Sequence, residues 1–243
     1  EGHLTVAYGD IQSFFEHIYH DRLMDLVAER VSDGRVLALV KSMLKRGVMD
    51  GERLQPTVSG TPQGGVISPL LANIYLNGLD HTMQQAGFNL ARYADDLVVL
   101  CDGPEQAQAS LELLSGWLEA AGLSLHPGKT GVVDMAERGA RFDFLGYRFS
   151  RTKRSGKLQR FVSDKSKRKL RENTKRYLKR CNGHSLEAII AKINPILRGW
   201  YGYFKHARPT SLEEMDQCVR MSLRSWNSPT LVDTKNLASL CLV

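Results

Sequence analysis

The stretch FNLARYADDLVVLCDG, residues 88–103, places two adjacent aspartates between two apolar runs. Leu, Val and Tyr favour extended backbone, so the run predicts a strand, a tight turn and a second strand. Asp95 and Asp96 then fall at the tip of a largely buried hairpin. An exposed turn is the simpler interpretation, because Asp is common in turns. The alternative is a cation between the two carboxylates, since like charges repel and unpaired burial of a carboxylate is costly.

A third acid favours the cation. Asp10 ends another apolar run, LTVAYGDI at residues 4–11, which predicts a strand. If the two strands are neighbours in one sheet, Asp10 and Asp95 converge at the same edge. Three carboxylates in one place require divalent cations, and hard oxygen ligands suit Mg²⁺. Two such ions about 4 Å apart clamp the attacking and leaving oxygens of a phosphoryl transfer, so the acids predict a site for two Mg²⁺ ions.

The remaining pattern indicates an α+β domain with an antiparallel sheet, because strands and helices alternate unevenly and without internal repeats. Apolar spacing predicts helices over residues 20–31, 35–46, 68–83 and 105–121. Ser68 and Pro69 form a suitable N-cap and first turn for the third of these helices. Short strands are predicted over residues 122–134 and 142–150.

The C-terminal part of the sequence differs in kind. A hairpin or linker at residues 151–161 precedes helical patterns over residues 163–181, 185–204 and 211–226, with a kink near Pro195. The expected organisation is therefore an α+β domain at residues 1–150 and a small all-helical domain at residues 151–226. Residues 227–243 lose the basic and aromatic pattern and are expected to be an unrelated or disordered tail.

Charge separates the same two parts. Residues 151–208 carry 18 Lys and Arg against 3 Asp and Glu, whereas residues 1–150 carry 12 against 19. A single basic patch is often only a solvated helix face, but an excess over nearly sixty residues with interleaved aromatics favours a polyanion such as nucleic acid. We expect RNA contacts from cations around the whole circumference of the 163–181 helix and from the next helix: Lys165, Lys167, Arg168, Lys169, Arg171, Lys175, Arg176, Lys179, Arg180 and Arg198.

Several classes of protein are disfavoured. No apolar run approaches the roughly 18 residues that span a bilayer, so no membrane partner is expected. The four cysteines are scattered, without CxxC pairs or His at metal-ligand spacing, which argues against a zinc site or a disulfide framework and fits the reducing cytoplasm. The first residues carry neither an initiator Met nor an export signal, so upstream residues are expected to be missing.

Five blocks of the sequence resemble, in the right order, those of group II intron reverse transcriptases: GDIQSFFEHIYHDRL, GTPQGGVISPLLANIYLNGLD, YADD, GLSLHPGKT and FDFLGYRF. INPILRGWYGYFK resembles the maturase or thumb region that follows them. The resemblance covers residues 4 to about 226. Retron, diversity-generating and CRISPR-associated reverse transcriptases share the earlier blocks, and the thumb block favours the intron branch.

The resemblance implies a catalytic role for each matching acid. Asp10 and Asp95 are expected to hold both Mg²⁺ ions, with Asp96 supporting them and the carbonyl of Ile11 as a further ligand. Lys129 matches the lysine that protonates the leaving pyrophosphate in this family. A plain salt bridge within its loop is an equally good interpretation of Lys129.

The resemblance also implies a nucleotide pocket. Phe15 matches the steric gate, a ring under the sugar that rejects a 2′-hydroxyl; the alternative is an ordinary core aromatic beside Phe14. The other residues expected to contact the nucleotide, the primer end or the template base are Pro62, Gln63, Gly64, Tyr93 and Ala94.

The implied function is RNA-directed DNA polymerisation, with dNTPs, an RNA template, a DNA primer or target, and group II intron RNA bound for splicing and mobility. The alternative is a non-catalytic maturase, an RNA-binding splicing cofactor. A palm-type nucleotide cyclase is disfavoured by the GTPQGG block and the basic helices. The family's fingers blocks and HNH endonuclease are expected to be absent from this stretch, which leaves open whether it acts alone.

Overall fold

A computed structural model describes residues 5–45, 48–50, 53–55, 59–61, 65–152, 156–178 and 185–224, with backbone alone at residues 48–50, 53–55 and 186. The chain divides into two compact units, residues 1–137 and 138–243. The domain boundary expected at residue 150 differs from this division of the chain after residue 137, and it stays a prediction.

The strands, in chain order, are β1 (Thr5–Asp10), β2 (Val48–Asp50), β3 (Arg53–Gln55), β4 (Asn89–Tyr93), β5 (Asp96–Cys101), β6 (Gly131–Asp134), β7 (Arg141–Phe144), β8 (Tyr147–Arg151) and β9 (Leu158–Val162). The helices are α1 (His20–Ala28), α2 (Gly34–Leu44), α3 (Ser68–Gln85), α4 (Pro104–Ala120), α5 (Asp164–Lys175), α6 (Leu186–Phe204) and α7 (Pro209–Arg224), with short 3-10 helices at Phe14–Glu16 and Pro127–Lys129. None of the helices in the described part of the chain is long and apolar enough to cross a membrane.

The first unit is built on an antiparallel sheet in the order β4-β5-β1-β6. Strands β1 and β5 occupy its centre, paired from Thr5↔Cys101 to Asp10↔Asp96. As suits a central strand, β5 contains a continuous apolar run from Leu97 to Val99, and the side chains of this run are all buried.

Helices α3 and α4 cover this sheet with apolar stripes at helical spacing. On α3 the stripe includes Leu71, Leu76 and Leu79, and on α4 it includes Leu114 and Leu118, all of them buried in one core. Burial of such side chains contributes about 1.5–3 kcal/mol each. The end of the sheet that carries Asp10 is therefore supported by two helices packed against it.

Most of the elements expected from sequence are confirmed, including the α+β class and the hairpin about residue 156, where β8 pairs with β9. Two details differ. Ile67 occupies the N-cap position of α3, and the buried Ser68 is already the first helical residue. Helix α5 ends at Lys175 rather than at residue 181. Thr174 and Tyr177, which lie at this end and just after it, are weaker helix formers.

The second unit begins with a three-stranded antiparallel sheet, β7-β8-β9, and continues as the expected helices α5, α6 and α7. Ile189 and Ile193 of α6 pack against Val219 and Leu223 of α7 in one buried cluster. Stacked and tilted aromatic rings link the sheet to α6 in a second cluster that contains Phe204. The helices of this unit are therefore packed around apolar clusters that belong to the unit itself.

Candidate active site and basic surface

Strands β1 and β5 bring the three predicted acids to one end of the sheet. Asp10 and Asp96 are directly opposite in the strand register, so their side chains leave the sheet on the same face. Asp95 lies in the two-residue turn between β4 and β5, and its carbonyl accepts the N–H of Ile11 at 3.2 Å. The turn is thus hydrogen-bonded to the residue that follows Asp10, and the carboxyl groups of Asp10 and Asp95 are close enough to interact.

The acids perturb one another. Burial raises the pKa of Asp95 above its ordinary value, and its own backbone N–H partly lowers it again. The negative charge of Asp10, and a hydrogen bond in which protonated Asp95 donates to Asp10, raise that pKa further. Two partly buried carboxyl groups in contact therefore resist being ionised together.

Lys129 supplies the positive charge beside them. Its ammonium donates a hydrogen bond to the Oδ2 atom of Asp10, and this bond raises the pKa of Lys129, with further contributions from Asp95 and Asp96. The backbone N–H of His126 donates to the Asp10 carbonyl at 2.7 Å, which ties the Lys129 loop to the end of β1. The salt bridge thus reaches Asp10 at the end of β1 rather than a residue of the Lys129 loop, and the role of Lys129 toward pyrophosphate stays a prediction.

The donors fit a hard divalent cation, because Asp10 and Asp95 bring carboxylate oxygens close together, and burial beside the charge of Asp10 raises the pKa of Asp95. A complete cage is not assembled: across the residues that the structure describes, no three His, Cys, Asp or Glu side chains form a ready metal site. Divalent-metal dependence is typical of enzymes with this acid pattern, and the number and identity of the ions belong to the proposal below.

The predicted nucleotide residues are placed in part. Phe15 is partly buried, with its ring 5.3 Å from that of the fully buried Phe14, and its carbonyl accepts the N–H of Thr61 at 2.7 Å. Tyr93 is 66% exposed, and Ala94 has a φ of 53°. Three further predicted residues lie outside the described residues: Pro62, Gln63 and Gly64.

Arg92 is a residue that the sequence motifs do not single out. It occupies an inward position of β4, and only 8% of its side chain is exposed. Its Nε atom donates to Asp80 at 2.7 Å, its Nη2 atom donates to the other Asp80 oxygen, and its Nη1 atom donates to Asn73 at 3.2 Å and to the Ala94 carbonyl at 3.3 Å. The sequence does contain a signal for Arg92: it is a cation at an inward position of an alternating strand, and a buried cation requires hydrogen-bond acceptors.

In the second unit the cations of α5 divide into two groups. Lys167 and Arg171 face α7 and form ion pairs with Glu214. These two cations therefore have a protein partner, and their contact with RNA stays a prediction. At 100° per residue, five further exposed cations share an arc of about 120° on the other side, together with the exposed Glu172, and we call the cations of this arc the basic face. The basic face consists of Lys165, Arg168, Lys169, Lys175 and Arg176.

The other predicted RNA contacts have mixed outcomes. Arg198 is exposed on α6. The Arg176 guanidinium also lies over the Tyr177 ring, 4.8 Å from its centroid. Lys179 and Arg180 fall outside the described residues.

A four-stranded antiparallel sheet with acids at the ends of its two central strands, backed by two helices, is the palm of a nucleic-acid polymerase. The family model described as "Reverse transcriptase (RNA-dependent DNA polymerase)" matches residues 2–149, and the model described as "Group II intron, maturase-specific domain" matches residues 164–228. The chain belongs to the reverse transcriptase family, in the form that carries the group II intron maturase-specific domain.

Curated relatives agree with this assignment. The chain is 33% identical over 181 residues to Protein YkfC of Escherichia coli, an alignment that covers 60% of this chain and 47% of that protein. It is 38% identical over 90 residues to the group II intron-encoded protein LtrA of Lactococcus lactis, covering 37% of this chain and 15% of that protein. The chain thus spans less than half the length of these relatives.

Solved structures show the same fold. A telomerase from Candida albicans in complex with a fragment of telomeric RNA has a TM-score of 0.52 at 16% identity, covering 88% of this chain and 40% of that one. Apo telomerase from Candida tropicalis has a TM-score of 0.52 at 14% identity, covering 99% and 45%. At these identities the likeness establishes the fold alone.

The raised pKa of Asp95 yields a prediction about stability. Ionised Asp95 destabilises the native state at neutral pH, so the metal-free chain gains stability as the pH falls through the native pKa. Asp95→Asn removes that cost, and we expect it to raise the unfolding midpoint at pH 7 by on the order of 1–3 °C. The gain should vanish below the ordinary Asp range, where both states are protonated.

The matched control is Asp25→Asn, at an exposed position of α1. It removes one negative charge from the same unit and should leave the midpoint within about 1 °C at both pH values. Thermal unfolding in a chelating buffer measures both variants. A lower midpoint for Asp95→Asn at pH 7 contradicts the prediction.

Proposed function

We propose that this chain is the catalytic core of an RNA-directed DNA polymerase of the group II intron type. It extends a DNA primer on an RNA template with dNTPs, in the cytoplasm. The observation that carries the proposal is the meeting of Asp10 and Asp95 at the paired ends of β1 and β5, with the pKa of Asp95 raised. A divalent cation at these two carboxylates offsets the burial and the neighbouring negative charge that raise the pKa of Asp95.

In this proposal Asp10 and Asp95 hold two Mg²⁺ ions, supported by Asp96 and the carbonyl of Ile11. When bound, the ions lower the pKa of the primer hydroxyl and neutralise the charge on the leaving pyrophosphate. The pKa of Lys129 is raised, so the ammonium keeps its proton at neutral pH. Lys129, which lies beside the acids, would donate that proton to the leaving pyrophosphate.

The nucleotide is held between the Phe15 segment and the GTPQGG loop. The hydrogen bond from the Thr61 N–H to the Phe15 carbonyl joins these segments across 46 positions of the chain. Phe15 blocks a 2′-hydroxyl, and Tyr93 and Ala94 lie under the primer end and the base. The remaining contacts of this pocket come from Pro62, Gln63 and Gly64.

The polymerase assignment predicts that Asp95→Asn abolishes primer extension while it preserves the fold. A neutral amide is a weaker ligand for a hard cation, and a loss on the order of 10²–10³-fold in kcat corresponds to several kcal/mol of transition-state stabilisation. Extension of a DNA primer on an RNA template with Mg²⁺, by the full-length natural protein, is the measurement. Asp25→Asn should keep full activity, and equal activity of the two variants would falsify the assignment.

The gate assignment predicts a change in sugar selectivity. Phe15→Val should raise ribonucleotide incorporation relative to deoxyribonucleotide by on the order of tenfold, because the smaller side chain leaves room for the 2′-hydroxyl. Phe14→Leu is the matched control, since Phe14 is 1% exposed and belongs to the core. It should lower the unfolding midpoint and leave selectivity unchanged. Constant selectivity with reduced stability in Phe15→Val assigns Phe15 to the core instead.

A second function is carried by a separate observation. The basic face of α5 lies within the region that matches the maturase-specific domain. We propose that this face binds structured intron RNA, so that the protein also acts as a splicing cofactor. Clustered cations displace counterions from phosphates, which supplies affinity without sequence information.

The basic face yields a prediction that separates binding cations from structural ones. The double change Lys165→Gln with Lys169→Gln should weaken binding to structured intron RNA and lower the slope of log affinity against log salt by about one to two units. Filter binding at several salt concentrations measures both quantities.

The matched control is Lys167→Gln with Arg171→Gln, which removes the same two charges from the same helix but from the side that pairs with Glu214. This control should lower stability by on the order of 1 kcal/mol or less and leave the salt slope close to that of the wild type. Equal slopes for the two double variants contradict the assignment of the basic face.

A further inference from the structure

The turn that carries Asp95 is held in a conformation that its own residues do not favour. Ala94 is the first residue of the two-residue turn between β4 and β5, and its φ of 53° lies in the left-handed region. Tight hairpin turns with a positive φ at this position favour Gly, because a Cβ atom is strained there. A residue that stays strained beside a reactive group requires contacts that fix it.

Two hydrogen bonds fix the two carbonyls of this turn. The Asp95 carbonyl accepts from the N–H of Ile11, and the Ala94 carbonyl accepts from the Nη1 atom of Arg92. The first bond belongs to the pairing of β1 with the hairpin. The second comes from a side chain, so that it can be removed without altering the strand register.

The Arg92 guanidinium is itself fixed. Asp80 accepts from two of its nitrogens in a bidentate ion pair, and Asn73 accepts from the third. Asp80 and Asn73 are seven residues apart on α3, so they lie on one face of that helix, two turns apart. Between them on α3, Leu76 and Leu79 are fully buried in the core. Arg92 therefore connects the turn to a helix that is anchored in the core.

We propose that Arg92 is a positioning residue that holds the Ala94–Asp95 turn in the strained conformation that directs Asp95 toward Asp10. The inference rests on the proposed function, in which these two acids bind divalent cations. Arg92 acts through the Ala94 carbonyl, and Asp80 and Asn73 act through Arg92.

The competing explanation is that Asp80 merely neutralises a buried arginine. Both explanations predict lower stability when Arg92 is changed, but only positioning predicts a weaker cation site in a chain that remains folded. Supporting residues of this kind typically change metal affinity by about 10–100-fold. Cation affinity, measured together with the unfolding midpoint, is therefore the readout that separates them.

The experiment titrates the chain with Mn²⁺ alone as the probe, followed calorimetrically, in the wild type and in Arg92→Lys. Lysine keeps the charge but cannot reach Asp80, Asn73 and the Ala94 carbonyl at once. The matched control is Arg22→Lys in the same unit, because Arg22 also donates to a backbone carbonyl, that of Ala120, and lies over the Tyr75 ring.

We expect Arg92→Lys to bind Mn²⁺ at least tenfold more weakly than the wild type and Arg22→Lys to bind it within twofold of the wild type. Equal affinity of Arg92→Lys and wild type, with only the unfolding midpoint lowered, overturns the inference and leaves the proposed function standing. A wild-type chain that binds no Mn²⁺ overturns the proposed function and the inference with it.

A rescue variant tests the route through the turn. Ala94→Gly removes the strain of the left-handed conformation, so adding it to Arg92→Lys should restore part of the lost Mn²⁺ affinity. Asp80→Asn should lose affinity as Arg92→Lys does, and combining the two should lose little more than either alone. No recovery on adding Ala94→Gly, or full additivity of the two losses, overturns the proposed route.

Discussion

The burial of Asp95 beside the carboxyl group of Asp10 is the constraint on which the arrangement of the acids depends. Burial and the neighbouring negative charge both oppose this placement of an ionised Asp95, so they favour separation of the two acids. The β1–β5 pairing, the Ile11 N–H and the ammonium of Lys129 all act against that separation. Part of the stability of the sheet therefore offsets the cost of holding Asp95 in this position.

The acids and their strands were predictable because alternation of apolar and polar residues is a local property. Asp10 and Asp95 each follow or interrupt such a run, and the sheet that joins them results from the need to bury both runs. Partner choice was not predictable in the same way. Arg92 finds Asp80, and Lys167 finds Glu214, only because helices and strands distant in sequence are packed together. Charge counts cannot separate a paired cation from a free one.

The helix α5 illustrates this difference between composition and pairing. Its composition indicates a polyanion partner, and composition alone treats every cation as equivalent. The ion pairs of Lys167 and Arg171 with Glu214 turn one side of the helix inward and give the other side a single orientation. The ion pairs with Glu214 of α7 thus determine which side of α5, and which of its cations, faces outward.

The register of the central sheet has a consequence for how the protein is made. Strand β1 pairs with β5 at Thr5↔Cys101 and with β6 at Thr5↔Asp134. Because β1 is synthesised first, it can pair only after about a hundred further residues have been added. Closing so long a loop costs entropy before any contact repays it, and folding of this kind is slow. The three acids therefore come together at one end of the sheet only once β5 has been synthesised and has paired with β1.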